Sequence, residues 1–142
     1  MYDRILVPTD GSPEGEDAVD EALELAELTG ATVVALYVID TRDYTAIPES
    51  TWTTLQEELR AEGQNAVATV EERANAAGVP VETTIARGAP HEVILEESAD
   101  CDAIVMGTHG RTGVDRFLLG SVTERVVRQS EKPVLVVHVS ED

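Results

Sequence analysis

Five short strand-like runs, rich in β-branched residues, alternate along the chain with longer stretches of helical period. That alternation leaves few folds open. The runs fall at residues 4–7, 32–39, 81–86, 103–106 and 133–139. The run 32–39 is too apolar for a strand with one wet face. A first helix is predicted to open with Ser12 as N-cap and Pro13 at its first position. Ala18, Ala22, Leu25 and Ala26 mark its inner face, and Thr29-Gly30 stops it. A long helix from Ser50 places Trp52, Leu55, Leu59, Ala66, Val70, Ala74 and Ala77 inward, with Gly78 as a left-handed cap and Pro80 barring continuation. Helices are also predicted over 90–98 and 121–129. Strands separated by helical connections imply an α/β fold: an open, parallel, five-stranded sheet with helices on both faces, Rossmann-like, as one domain over residues 1–142.

A chain of 142 residues suits that reading, since domains cluster near ~100–150 residues. No apolar run approaches the ~20 residues that span a bilayer. The opening Met1-Tyr2-Asp3-Arg4 is charged too early for a secretory signal, and Cys101 is the sole cysteine. A reduced, cytoplasmic protein is therefore expected. The formal charge is −18, from 28 acids against 10 lysines and arginines. Glu14, Glu16, Asp17, Asp20, Glu21, Glu24 and Glu27 follow one another with no base among them. At about 1 M salt the screening length falls to about 3 Å and most of their repulsion disappears. The pattern points to a halophilic protein suited to a salt-rich cytoplasm; an ordinary acidic surface is the alternative. Either way the field repels polyanions, so neither nucleic acid nor an anionic membrane is an expected partner.

Ligands of open parallel sheets bind beyond the carboxyl ends of the strands. Three unusual segments lie at such ends: Pro8-Thr9-Asp10-Gly11-Ser12, Val38-Ile39-Asp40, and the stretch GTHGRTGVDRFLLGS from Gly107 to Ser121. Glycine permits positive φ and lets successive N–H groups face an anion. Gly107 and Gly110 would shape the turn that leaves the fourth strand, while Gly120 and Ser121 stand where a helix N-terminus attracts phosphate. A second reading stays open on these residues: Ser121-Val122-Thr123-Glu124 is also a capping box, which needs no ligand. Neither G-x-x-x-x-G-K-[ST] nor a G-x-G-x-x-G after a strand is present.

The spacing Gly107-x2-Gly110-x9-Gly120-Ser121 resembles the G-2x-G-9x-G-[ST] pattern of the ATP-binding branch of the universal stress protein family. ILVPTDGS, LYVID, DAIVMGTHG, GSVTERVV and KPVLVVHV resemble other segments of that family, so that the likeness covers essentially the whole chain. It implies a sheet ordered 3-2-1-4-5, an ATP site at the carboxyl edge and a homodimer, assigned here to the last strand from Pro133 to Val139. By the same resemblance Asp10 would lie near the ribose and a metal, Mg²⁺, with Pro8 and Thr9 beside it. Val38 would meet adenine through its backbone with Met106 nearby, and Gly107, His109, Gly110, Gly120, Ser121 and Val122 would line the ribose and phosphates. Tyr44 lies in a variable loop.

Each residue also has a plainer reading. Asp10 can form an Asx-turn beside Gly11, and Arg111 and Arg116 can pair with acids as readily as with phosphate. His91 at a helix start and His138 in the last strand read as structural, and Cys101 as a small buried residue. The leading function is an ATP-binding regulatory protein of the stress response, with no catalytic residue assigned. The alternative is a slow Mg²⁺-dependent hydrolase or phosphotransferase using Asp10 and His109. A phosphoacceptor signalling domain fits poorly, because Thr9-Asp10 offers one acid and the third strand ends Ala86-Arg87-Gly88 with no aspartate.

Overall fold

The computed structural model describes residues 2–12, 15–41, 48–108 and 120–138. Its elements follow in the order β1 (Arg4–Pro8), α1 (Glu16–Thr29), β2 (Thr32–Asp40), α2 (Glu49–Ala77), β3 (Val81–Gly88), α3 (Pro90–Glu97), a 3₁₀ turn (Ser98–Asp100), β4 (Ala103–Gly107), α4 (Ser121–Gln129) and β5 (Val134–Val137). The strands form one parallel sheet of order β3-β2-β1-β4-β5. The expected α/β class and strand order are therefore observed. The chain lays strands to one side of β1 and then returns to fill the other side, so the order reverses between β1 and β4.

Period-two geometry explains why the centre of β1 is apolar throughout. Ile5 and Val7 face α1 and α2 in a core with Val19, Ala22, Val67 and Val70. Leu6, one residue between them, faces the opposite core with Ile94, Ile104, Met106 and Val126. Both faces of β1 are thus dry, as a doubly covered parallel sheet requires. On α2, Ala66, Val70 and Ala74 are buried as the helical period predicts, but Ala77 is exposed because the helix ends beyond the sheet. Gly78 takes the expected left-handed cap with φ 73°.

The inner face expected of α2 omits two buried positions, Val67 and Gly63. Gly63 is buried, and a Cβ built there would stand 2.6 Å from Cδ1 of Tyr37. The glycine lets α2 pass directly over a β2 aromatic ring.

Two predicted boundaries are corrected. Ser12 is not the cap of α1: the helix starts at Glu16 behind Gly15, with no side-chain cap bond. Pro13 lies outside the described residues. β5 ends at Val137, so His138 follows the strand, and Val139 lies outside the described residues.

At the opposite end of the sheet, Asp102 fastens β1 to β4. Its Oδ2 accepts the backbone N–H groups of Asp3 at 2.8 Å and Arg4 at 3.0 Å. Those two donors hold the carboxyl below its ordinary value of 3.8, against a smaller opposing effect of desolvation. A depressed folded pKa contributes stability that is complete above 3.8 and fades as pH falls through the lower folded value. The gap in melting temperature between wild type and Asp102→Asn is therefore expected to be constant near neutrality and to close on acidification below 3.8. A gap independent of pH would mean that the charge is irrelevant. Nearby Cys101 is buried, and desolvation pushes its thiol above the usual range.

Candidate functional site

The order reversal opens a cleft of about 290 Å³ at the carboxyl ends of β1 and β4. One wall is apolar: Pro8, Leu36, Val38 and Met106 from the strand ends, Ala18 from α1, and Pro90 and Ile94 from α3. The rim is polar, formed by Thr9, Asp10, Gly107, Gly120, Ser121 and Thr123, with Gly15 and Val122 completing the outline. Ligand pockets of this composition, an apolar body with a few placed polar groups, run from ~300 to 1,000 Å³.

The first rim segment is a tight turn. Thr9 extends the β1–β2 ladder by donating its N–H to the Leu36 carbonyl at 2.8 Å. Asp10 Oδ1 then accepts both the N–H of Ser12 at 2.9 Å and its hydroxyl at 2.5 Å. The Asx-turn is thus present, and Gly11 supplies its positive φ of 77°. The Ser12 hydroxyl turns back to Asp10, and α1 opens behind Gly15 instead.

The second rim segment is the start of α4. Gly120 is the N-cap, in extended conformation, with no side-chain cap bond. The first helical bond runs from the Glu124 N–H to the Gly120 carbonyl at 2.9 Å. The capping-box reading of Ser121 is therefore corrected: Ser121 stands one position inside the helix and is exposed at the cleft. The N–H groups of Ser121, Val122 and Thr123 belong to the first turn, which has no carbonyl of its own to bond. They give the rim three donors and the positive end of a helix dipole.

Two bonds seat that helix end on the sheet. The Gly120 N–H donates to the Thr108 carbonyl at 2.7 Å, and the Thr123 hydroxyl donates to the Gly107 carbonyl at 2.9 Å. Positive φ plays no part here. Gly107 is the last residue of β4, paired with Val137, and Gly120 has φ −63°. The turn expected at Gly107 is thus corrected, while Gly120 stands at the helix start as expected.

The structure brings Pro8, Thr9, Asp10, Val38 and Met106 to one cleft with Gly107, Gly120, Ser121 and Val122. His109 and Gly110 lie outside the described residues, as do Arg111, Arg116 and Tyr44. Sequence reasoning missed Gly15, Ala18, Leu36, Pro90, Ile94 and Thr123. Pro90 carried a signal, being the N1 proline of a helix that starts at a strand's carboxyl end. Leu36 and Ile94 carried none, since they read as core. Among the described residues, no three His, Cys, Asp or Glu side chains converge as a metal cluster. Nor is any helix among them long and apolar enough to cross a membrane.

Residues 1–138 match the universal stress protein family. Universal stress protein MJ0531 of Methanocaldococcus jannaschii is 41% identical over 140 residues, covering 96% of this chain and 82% of that protein. The solved structure of hypothetical protein MJ0577, from the same organism, aligns with a TM-score of 0.89 and 37% identity over 100% of this chain and 99% of its own. A universal stress protein solved in complex with cAMP aligns with a TM-score of 0.71 and 29% identity, over 98% of each chain.

Proposed function

This chain belongs to the universal stress protein family, and from that premise we propose that it is an ATP-binding regulatory protein of the stress response. One observation carries the reading: an apolar wall sized for a base and the uncapped first turn of α4 meet in one cleft. The chemistry suits a nucleotide. A flat heterocycle would lie between Val38, Met106 and Ile94, while phosphates would meet the N–H groups of Ser121 and Val122. His109 and Gly110 are assigned to the phosphates on the motif alone.

Mg²⁺ would arrive with the phosphates, because it keeps most of its own ligands and needs only one or two protein carboxylates. Asp10 is the rim carboxylate placed for that role. The nucleotide occupies a domain spanning residues 1–142 of a cytoplasmic protein and biases its conformation or assembly. Assembly is proposed through β5, an edge strand on which Leu135 remains 44% exposed.

Calorimetry with ATP in high potassium chloride, with and without Mg²⁺, tests the reading. Saturable binding is expected. Ser121→Glu puts a carboxylate where the phosphates would sit, while an acid in a helix's first turn favours the helix by ~0.3–1 kcal/mol. That variant should stay folded and lose ATP affinity by at least about tenfold, ~1.4 kcal/mol. Folded wild type that binds no ATP would leave an ATP-independent interaction protein as the better account.

A further inference from the structure

Helical threonines ordinarily return the hydroxyl to a carbonyl one turn earlier in their own helix. Thr29, Thr53, Thr54 and Thr69 do so here, bonding the carbonyls of Leu25, Glu49, Ser50 and Asn65. Thr123 does not. Its hydroxyl leaves α4 and bonds the carbonyl of Gly107, sixteen positions back, at 2.9 Å, while the residue is only 4% exposed. Together with the Gly120-to-Thr108 backbone bond, it ties the start of α4 to the last two carbonyls of the β4 segment.

We infer that Thr123 is a positioning residue for the phosphate end of the nucleotide site, acting through its bond to Gly107. The inference rests on the nucleotide reading above. Packing of Val126 in the core holds the body of α4 and the Gly120 bond holds its cap, while the Thr123 hydroxyl fixes the aim of the first turn between them. That aim decides where the first-turn N–H groups point. The apolar wall is built from β1, β2, α3 and Met106, and none of those positions depends on the Thr123 hydroxyl. Loss of the hydroxyl should therefore weaken phosphate recognition and leave recognition of the base untouched.

Affinities for ATP and for adenosine, measured side by side in high potassium chloride, test this. In Thr123→Val the ATP affinity is expected to fall about tenfold, the equivalent of about one hydrogen bond, with adenosine affinity unchanged. Thr123→Ser, which keeps the hydroxyl, should recover most of the loss. Equal losses for both ligands, or no loss for either, overturn the inference while leaving the nucleotide site standing. Thr123→Ala makes the same deletion with less bulk. If neither Val nor Ala folds while Ser does, the residue serves the fold and the inference is wrong. Wild type that binds neither ATP nor adenosine removes the nucleotide reading itself, and this inference with it.

Discussion

Replacing Gly63 by valine is expected to lower the melting temperature by about 2–12 °C. Overpacking a filled core costs ~1–3 kcal/mol, and ~2–4 °C accompanies each kcal/mol in a domain of this size. The cause is local. A Cβ at residue 63 falls 2.6 Å from Cδ1 and 3.1 Å from Cγ of Tyr37. Those atoms lie near the stem of the ring, which cannot swing aside as a chain end would, and Tyr37 is 7% exposed. Alanine makes the sharper test, because two effects oppose. Glycine to alanine inside a helix is worth ~1 kcal/mol in favour of the variant. The clash should outweigh that, so Gly63→Ala also destabilises, by about 1 kcal/mol on the lower side of the overpacking range. In a Tyr37→Leu background the ring is gone and the same change should turn neutral or stabilising. A Gly63→Ala protein more stable than wild type would show that α2 lifts off β2 without cost.

The second large effect is expected from salt. Raising potassium chloride from about 0.1 M to about 2 M should lift the melting temperature by about 10 °C, as the screening length shrinks below the spacing of neighbouring carboxylates. On α1, Glu16, Asp20, Glu21, Glu24 and Glu27 are all exposed, and like charges one turn apart cost ~0.2–0.5 kcal/mol per pair. Arg73 reaches across from α2 to Asp20 at 2.7 Å and to Glu16 at 3.6 Å, one base between two acids. The triple variant Glu21→Gln, Glu24→Gln, Glu27→Gln separates this cause from general salting-out. It should melt higher than wild type at low salt and respond less steeply to added salt. Equal slopes for the two proteins would assign the response to the solvent rather than to these charges.

β1, β2 and β4 are legible because both faces of each are covered, and continuous apolar runs such as that of β1 have no competing reading, whereas the edge strands β3 and β5 are only partly buried. α4 was placed correctly, at Ser121–Gln129, because its apolar period and the preceding glycine agree. The strand order came with the family resemblance, since no local pattern says which strand β1 will neighbour. α1 was started too early because Ser12 obeyed a different local rule. Ser12 belongs to the Asp10 turn, its N–H and hydroxyl both donating to the Asp10 carboxylate, and the same residue type signals a turn as readily as a cap. Gly63 carries no local signal, its meaning resting on a ring in another element. Thr123 was noticed only as filler in a capping box, and its actual partner lies sixteen positions away, beyond any local signal. The cleft residues contributed by α1 and α3 were missed for the same reason: their side chains are ordinary, and topology alone brings them to the rim.

The Gly120 N–H and the Thr108 carbonyl are 2.7 Å apart, so the two ends of the connection between β4 and α4 are fixed at almost one point. Lengthening a connection closed that way does not push its ends apart, and even doubling a flexible loop adds only ~0.6 kcal/mol of closure entropy. The scaffold therefore sets no length on what joins positions 108 and 120. In evolutionary terms, the nine-residue spacing of Gly110 and Gly120 answers to the proposed ligand and not to the sheet, and a change of spacing there is expected to cost binding before it costs the fold.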